Sequence, residues 1–151
     1  MKKTISLLML CALILSAVAC KRNNFKNLEY DGLTTTDLLQ ANVKKKNGES
    51  VLWFQVIDQK ENRDIAESYR TITNKVDDYP VKIYDNKWIW LLVNNRIEIR
   101  LIADDKCKDF KNTEKLQNFI RAFDLSGMEK VSGPVLKGKD LEKFIPTLAV
   151  D

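Results

Sequence analysis

Between residues 39 and 56, apolar and polar positions alternate in two runs that mirror each other about Asn47-Gly48. Asn-Gly is a strong signal for a two-residue hairpin turn, because both residues tolerate positive φ. Folding the chain about it sets Lys46 opposite Glu49, Val43 opposite Leu52, Ala41 opposite Phe54 and Leu39 opposite Val56. The pairs Lys44 with Val51, Asn42 with Trp53 and Gln40 with Gln55 then point to the other side. A slip of one residue would turn every apolar side chain to the wrong face, so the alternation predicts this register.

The same reasoning applies from residue 81 to residue 101. With Asp85-Asn86 and Asn94-Asn95 as two-residue turns, Val81, Ile83, Trp88, Trp90, Leu92, Ile97, Ile99 and Leu101 fall on one face, read as core. The opposite face collects Lys82, Tyr84, Lys87, Ile89, Leu91, Val93, Arg96, Glu98 and Arg100. The middle strand, WIWLLV, is apolar on both sides, while its neighbours are apolar on one.

Helical spacing frames this three-stranded meander. Asp58 and Glu61 have the spacing of a capping box, and Ile65, Tyr69, Ile72 and Val76 follow as a helical stripe. A second helix starts at Asn112 or Thr113, carries Leu116, Phe119, Ile120 and Phe123 on one side, and ends at Gly127. A short strand over Met128–Val131 is expected next, and then a last helical turn in GKDLEKFIPTL, stopped before Pro146. The fold class is α+β, with an antiparallel sheet built from a hairpin and a three-stranded meander and packed with two main helices in the order ββαβββα. That order resembles profilin-like, longin and roadblock folds, a likeness of topology that carries no residue roles.

Composition narrows the chemistry. The 151 residues contain no histidine, which removes Ser-His-Asp and Cys-His nucleophile pairs and histidine metal sites. The 5 glycines are scattered and make no phosphate-cradling loop. Asp77-Asp78 and Asp104-Asp105 read as solvated loop ends, since neighbouring acids on an extended chain diverge. Cys107, between Lys106 and Lys108 but close to Asp104, Asp105 and Asp109, reads as an ordinary strand-end thiol. No catalytic residue, metal or cofactor is expected.

The first twenty residues follow another logic. Lys2 and Lys3 precede an apolar run from Leu7 to Leu15, too short to span a bilayer, and small residues lead to Cys20. The sequence AVAC at 17–20 resembles the lipobox of bacterial lipoprotein precursors, with alanine at position 17 where leucine is commonest. The resemblance covers residues 1–20 alone. It implies a cleaved signal over 1–19, a diacylglyceryl group on Cys20, and, with Lys21 rather than aspartate next, sorting to the outer membrane. Residues 20–31 are then expected as a lipidated cysteine and flexible tether, and 32–151 as a single domain. Loss of Lys2 and Lys3 with the signal leaves 23 basic against 21 acidic side chains, a balance of +2 that does not suit nucleic acid.

The functional expectation is therefore a membrane-anchored bacterial lipoprotein whose domain binds or assembles without catalysis, its partner an envelope protein or a host macromolecule. The alternatives are a carrier of a small apolar ligand and a small hydrolase using carboxylates. The candidate partner surface is the second face of the sheet: Trp53, Tyr84, Ile89, Leu91 and Val93, with Arg96 and Arg100 at the rim. If a helix covers that face, the same residues are core, and Leu91 is expected to be at least partly covered.

Overall fold

The computed structural model describes Phe25, residues 27–110 and residues 112–148. Strands β2 (Leu39–Lys45) and β3 (Ser50–Asp58), bracketing the Asn-Gly turn, pair as the alternation predicts, Leu39 with Val56, Ala41 with Phe54 and Val43 with Leu52. The tip differs. Lys45, not Lys46, closes the turn: its N–H donates to the Glu49 carbonyl at 2.8 Å and its Nζ reaches Glu49 Oε2 at 3.0 Å. The loop is thus Lys46–Gly48, with Gly48 at φ +86°. This extra residue is offset inside β3, where Lys44 pairs with Ser50 and Val51 is left over as a bulge. Val51 turns into the core and is fully buried.

An edge strand, β1 (Leu28–Thr35), lies along β2. This corrects the expected tether: Leu28 is buried, the Tyr30 hydroxyl donates to the Pro146 carbonyl at 2.6 Å, and Phe25 meets Phe119 edge-on at 5.0 Å. Ordered packing therefore begins before residue 32. On the other side, β4 (Lys75–Val76), β5 (Tyr79–Tyr84), β6 (Trp88–Val93) and β7 (Ile97–Ala103) complete a seven-stranded antiparallel sheet. Its order is β1-β2-β3-β7-β6-β5-β4, and β3 against β7 joins hairpin to meander.

The turns of the meander carry the expected chemistry but not the expected register. Asp85, Asn86, Asn94 and Asn95 all have positive φ, and the N–H groups of Lys87 and Arg96 close the turns on the carbonyls of Tyr84 and Val93. The ladder then resumes one residue late, with Tyr84 opposite Trp88 and Val93 opposite Ile97. The inserted residues are held by the next strand over: Lys87 accepts from the Ala103 N–H at 2.9 Å, and Arg96 from the Gln59 N–H at 2.8 Å. The first insertion turns β6 over and the second restores the face for β7. Ile89, Leu91 and Val93 therefore join Val81, Ile97, Ile99 and Leu101 in the core, while Trp88, Trp90 and Leu92 point the opposite way.

Helices cover the two faces unequally. The first, α1 (Ile65–Tyr69), is far shorter than its stripe suggests: Asp58 ends β3, Asp64 precedes the helix, and Val76 belongs to β4. It rests on Leu92 and Trp90. The remaining helices lie on the core face. In α2 (Thr113–Ile120), Asn112 Oδ1 accepts from the Lys115 N–H at 3.0 Å, and Leu116, Phe119 and Ile120 are buried. Gly127 does not end it. A separate helix, α3 (Leu125–Glu129), replaces the strand expected there, because Asp124 Oδ1 accepts from the Gly127 N–H at 2.9 Å. A Cβ at Gly127 would lie 2.1 Å from that carboxylate, so a side chain there would displace the cap. The last turn, α4 (Gly138–Leu141), runs into a 3₁₀ turn, Glu142–Phe144, ahead of Pro146, as its sequence suggests.

Candidate functional site

All three tryptophans of the chain, Trp53, Trp88 and Trp90, stand on the sheet face that α2, α3 and α4 leave uncovered. The register arranges this face in cross-strand rows. One row reads Asn42, Trp53, Ile102, Trp88, Tyr84 across β2, β3, β7, β6 and β5, and the next reads Gln40, Gln55, Arg100, Trp90, Lys82. Trp88 and Tyr84, the pair that flanks the β5–β6 turn, are 44% and 42% exposed. Tyr84 packs edge-on against Trp90 at 5.4 Å, and the Arg100 guanidinium lies 4.5 Å over the Trp90 ring. The Trp90 Nε1 atom is shielded from water with no hydrogen-bond partner.

A third row, Ile57, Glu98 and Leu92, is roofed by α1. Glu98 is the buried charge of this face. Its oxygens accept from the Tyr69 hydroxyl at 2.8 Å, Gln59 Nε2 at 2.8 Å, Arg100 Nε at 2.8 Å and Arg100 Nη2 at 2.6 Å. Such a carboxylate has both oxygens satisfied by hydrogen bonds. Burial, reinforced by the Glu98 charge, raises the Tyr69 phenol, which therefore stays a neutral donor. The Lys82 ammonium sits 3.9 Å from the Tyr69 ring centre and donates to Ser68 Oγ. Lys44 is paired with Glu29 and Asp31 of β1. The charges of the face are thus balanced within it.

Of the residues read from the sequence as a partner surface, Trp53, Tyr84 and Arg100 share this face. Ile89, Leu91 and Val93 do not: they are fully buried on the opposite side, against the helices, because Lys87 reverses β6. Arg96 is not a free rim charge either. It clasps Asp58 through Nε and Nη2, the latter at 2.7 Å, and donates to the carbonyls of Gly133 and Pro134. Asp58 also accepts from the N–H groups of Leu136 and Lys60, so the pair ties β3 and the β6–β7 turn to the segment before α4. Burial pushes the Asp58 carboxyl up, but these hydrogen bonds and the guanidinium outweigh it and hold the group below the usual range. Sequence reading placed Trp88 and Trp90 in the core and passed over Ile102. The available signal was the two-sided apolar character of WIWLLV, which fits either orientation.

The other chemistry-bearing residues are spread apart. Asp77 meets Arg121, Asp104 accepts from the Lys106 N–H, and Asp105 meets Lys87. Cys107 is buried in the loop after β7. Open concavities of about 360, 280 and 240 Å³ lie at the β5–β6 turn, beside Phe25 and Phe110, and between α3 and the C-terminal segment. Among the described residues no group of three acids or thiols converges on a metal position, and no helix is long and apolar enough to cross a membrane. The export segment and Cys20 lie outside the described residues. Comparison with family models, with curated proteins and with solved structures finds no match.

Proposed function

We propose that the chain is a lipid-anchored lipoprotein of the bacterial outer membrane whose α+β domain binds a partner in the cell envelope without catalysing a reaction. The observation that carries the reading is the gathering of all three tryptophans on one sheet face, which α1 roofs only over Leu92 and Trp90. Interface anchors are enriched in tryptophan, tyrosine and arginine, and Trp53, Trp88, Tyr84 and Arg100 supply these types in adjoining rows. The lipobox-like AVAC and the apolar run before it support the anchor. Two acyl chains on Cys20 would make the attachment durable.

Two measurements in intact cells test this reading. Cys20→Ala should shift the protein from the detergent phase to the soluble or uncleaved pool, and unchanged partition would refute the anchor. A benzophenone amino acid in place of Trp88 should give a discrete crosslinked species that the same probe at Lys130, on the helical side, does not give. Identical crosslinking from both positions would remove the face as a binding surface.

A further inference from the structure

We propose that the tryptophan face binds a neutral, β-1,4-linked glycan, the polysaccharide backbone of the cell wall, lying across the strands. The proposal deepens the binding reading above and rests on it. A pyranose ring with equatorial substituents offers a flat C–H face and a rim of hydroxyl and acetamido groups. Its complement is an aromatic plane flanked by groups that both donate and accept hydrogen bonds. The row Asn42, Trp53, Ile102, Trp88, Tyr84 supplies aromatic planes and an exposed amide in one line. In the neighbouring row, Gln55 Nε2 donates to Gln40 Oε1 at 3.1 Å, which uses one half of each amide and leaves a donor and an acceptor for a ligand.

Spacing supports the same ligand. Trp53 and Trp88 flank Ile102 in one row and so stand two strands apart, a separation of about 9.5 Å at the usual strand spacing. A β-1,4-linked chain turns the same ring face outward at every second sugar, a repeat close to that distance. Charge argues for neutrality, since Lys44 is paired with Glu29 and Asp31, and Arg100 with Glu98. An anionic membrane surface fits less well, because Glu29 and Asp31 border the row at its β1 end. Phe25 packs on Phe119 of α2, on the side of the sheet opposite the tryptophans.

Because every tryptophan lies on this face, intrinsic emission reports on it alone. The full chain carrying Cys20→Ala should be titrated with chitohexaose (the β-1,4-linked hexamer of N-acetylglucosamine), with maltohexaose, and with phosphatidylglycerol–phosphatidylethanolamine vesicles. A saturable change with chitohexaose only is expected. Trp53→Ala and Trp88→Ala should each weaken it by about tenfold at unchanged circular dichroism, and Ser126→Ala should leave it alone. No saturable change with chitohexaose, equal affinity in both tryptophan variants, or a response to vesicles alone would overturn the proposal. If chitohexaose fails while position 88 still crosslinks a protein, the glycan is wrong and the binding face stands. If both fail, the face itself is wrong.

Discussion

The β2–β3 hairpin and the β5–β6–β7 meander both gain a residue at their turns, and they differ in what happens next. In the hairpin, Val51 bulges and restores the pairing of Val43 with Leu52. In the meander, the insertion of Lys87 is offset only at Arg96, so β6 keeps its slipped register from end to end. The difference follows from the side chains. Strand β2 is apolar on one face only, so any slip must be corrected or Leu39, Phe54 and Val56 lose their burial. Strand β6 is apolar on both faces and stays hydrophobic inside whichever way it turns. Backbone pairing then decides, and both inserted carbonyls are taken by neighbouring N–H groups.

The largest effect that could break this comparison is at Leu91, which the slipped register buries completely. Leu91→Ala should cost about 2–5 kcal/mol in urea denaturation, and Leu91→Asp should abolish the cooperative transition. If both variants melt like the wild type, β6 has the unslipped register.

Asp58→Asn comes next, with a loss of about 3 kcal/mol, because it leaves Arg96 without its carboxylate at the base of the second turn. The folded-state pKa of Asp58 is depressed, so its contribution is present above the unfolded value of about 3.9 and is lost as pH falls through the folded value. The stability gap between wild type and variant should thus be constant near neutrality and close in acid. A gap that widened on acidification would contradict the pairing.

Val51→Ser separates the bulge from a regular strand. As a bulge residue in the core, Val51 should cost about 1.5–3 kcal/mol when made polar. On a two-residue turn it would face Lys44, and the change would be almost neutral.

The smallest effect belongs to Trp88→Ala, under about 1 kcal/mol, because the side chain is half in solvent. Thermal melts of Trp88→Ala and Leu91→Ala, compared directly, give the orientation of β6 in one experiment. The expected order reverses if Trp88 is core.

What could be read before folding tracks the same contrast. The β2–β3 pairing, the Asn112 start of α2 and the final turn before Pro146 were legible because each rests on one-sided amphipathicity or on local cap and breaker chemistry. The face of WIWLLV was not, since its pattern has no polar side to fix it. Nor was β1, whose residues Glu29, Asp31 and Thr34 have few apolar neighbours in the sequence and which is held in place by its pairing with β2 and by the bond from Tyr30 to Pro146. The α1 stripe misled because Ile65, Tyr69 and Ile72 do cluster, on Leu92 and Trp90, while Val76 belongs to a separate strand. The candidate site inherits the β6 error: the tryptophans were visible, but their side of the sheet depended on one residue after a turn.

The docking of Phe25 on Phe119 also has a mechanical meaning. A pull on the chain toward its N-terminus must first draw this ring from its seat on α2. Only then does load reach Leu28 and the β1–β2 ladder, whose six paired positions run from Leu28–Lys45 to Thr35–Leu39. The ring is a sacrificial link in series with the sheet. Its contact is a single pair of rings, whereas β1 is held to β2 along its length.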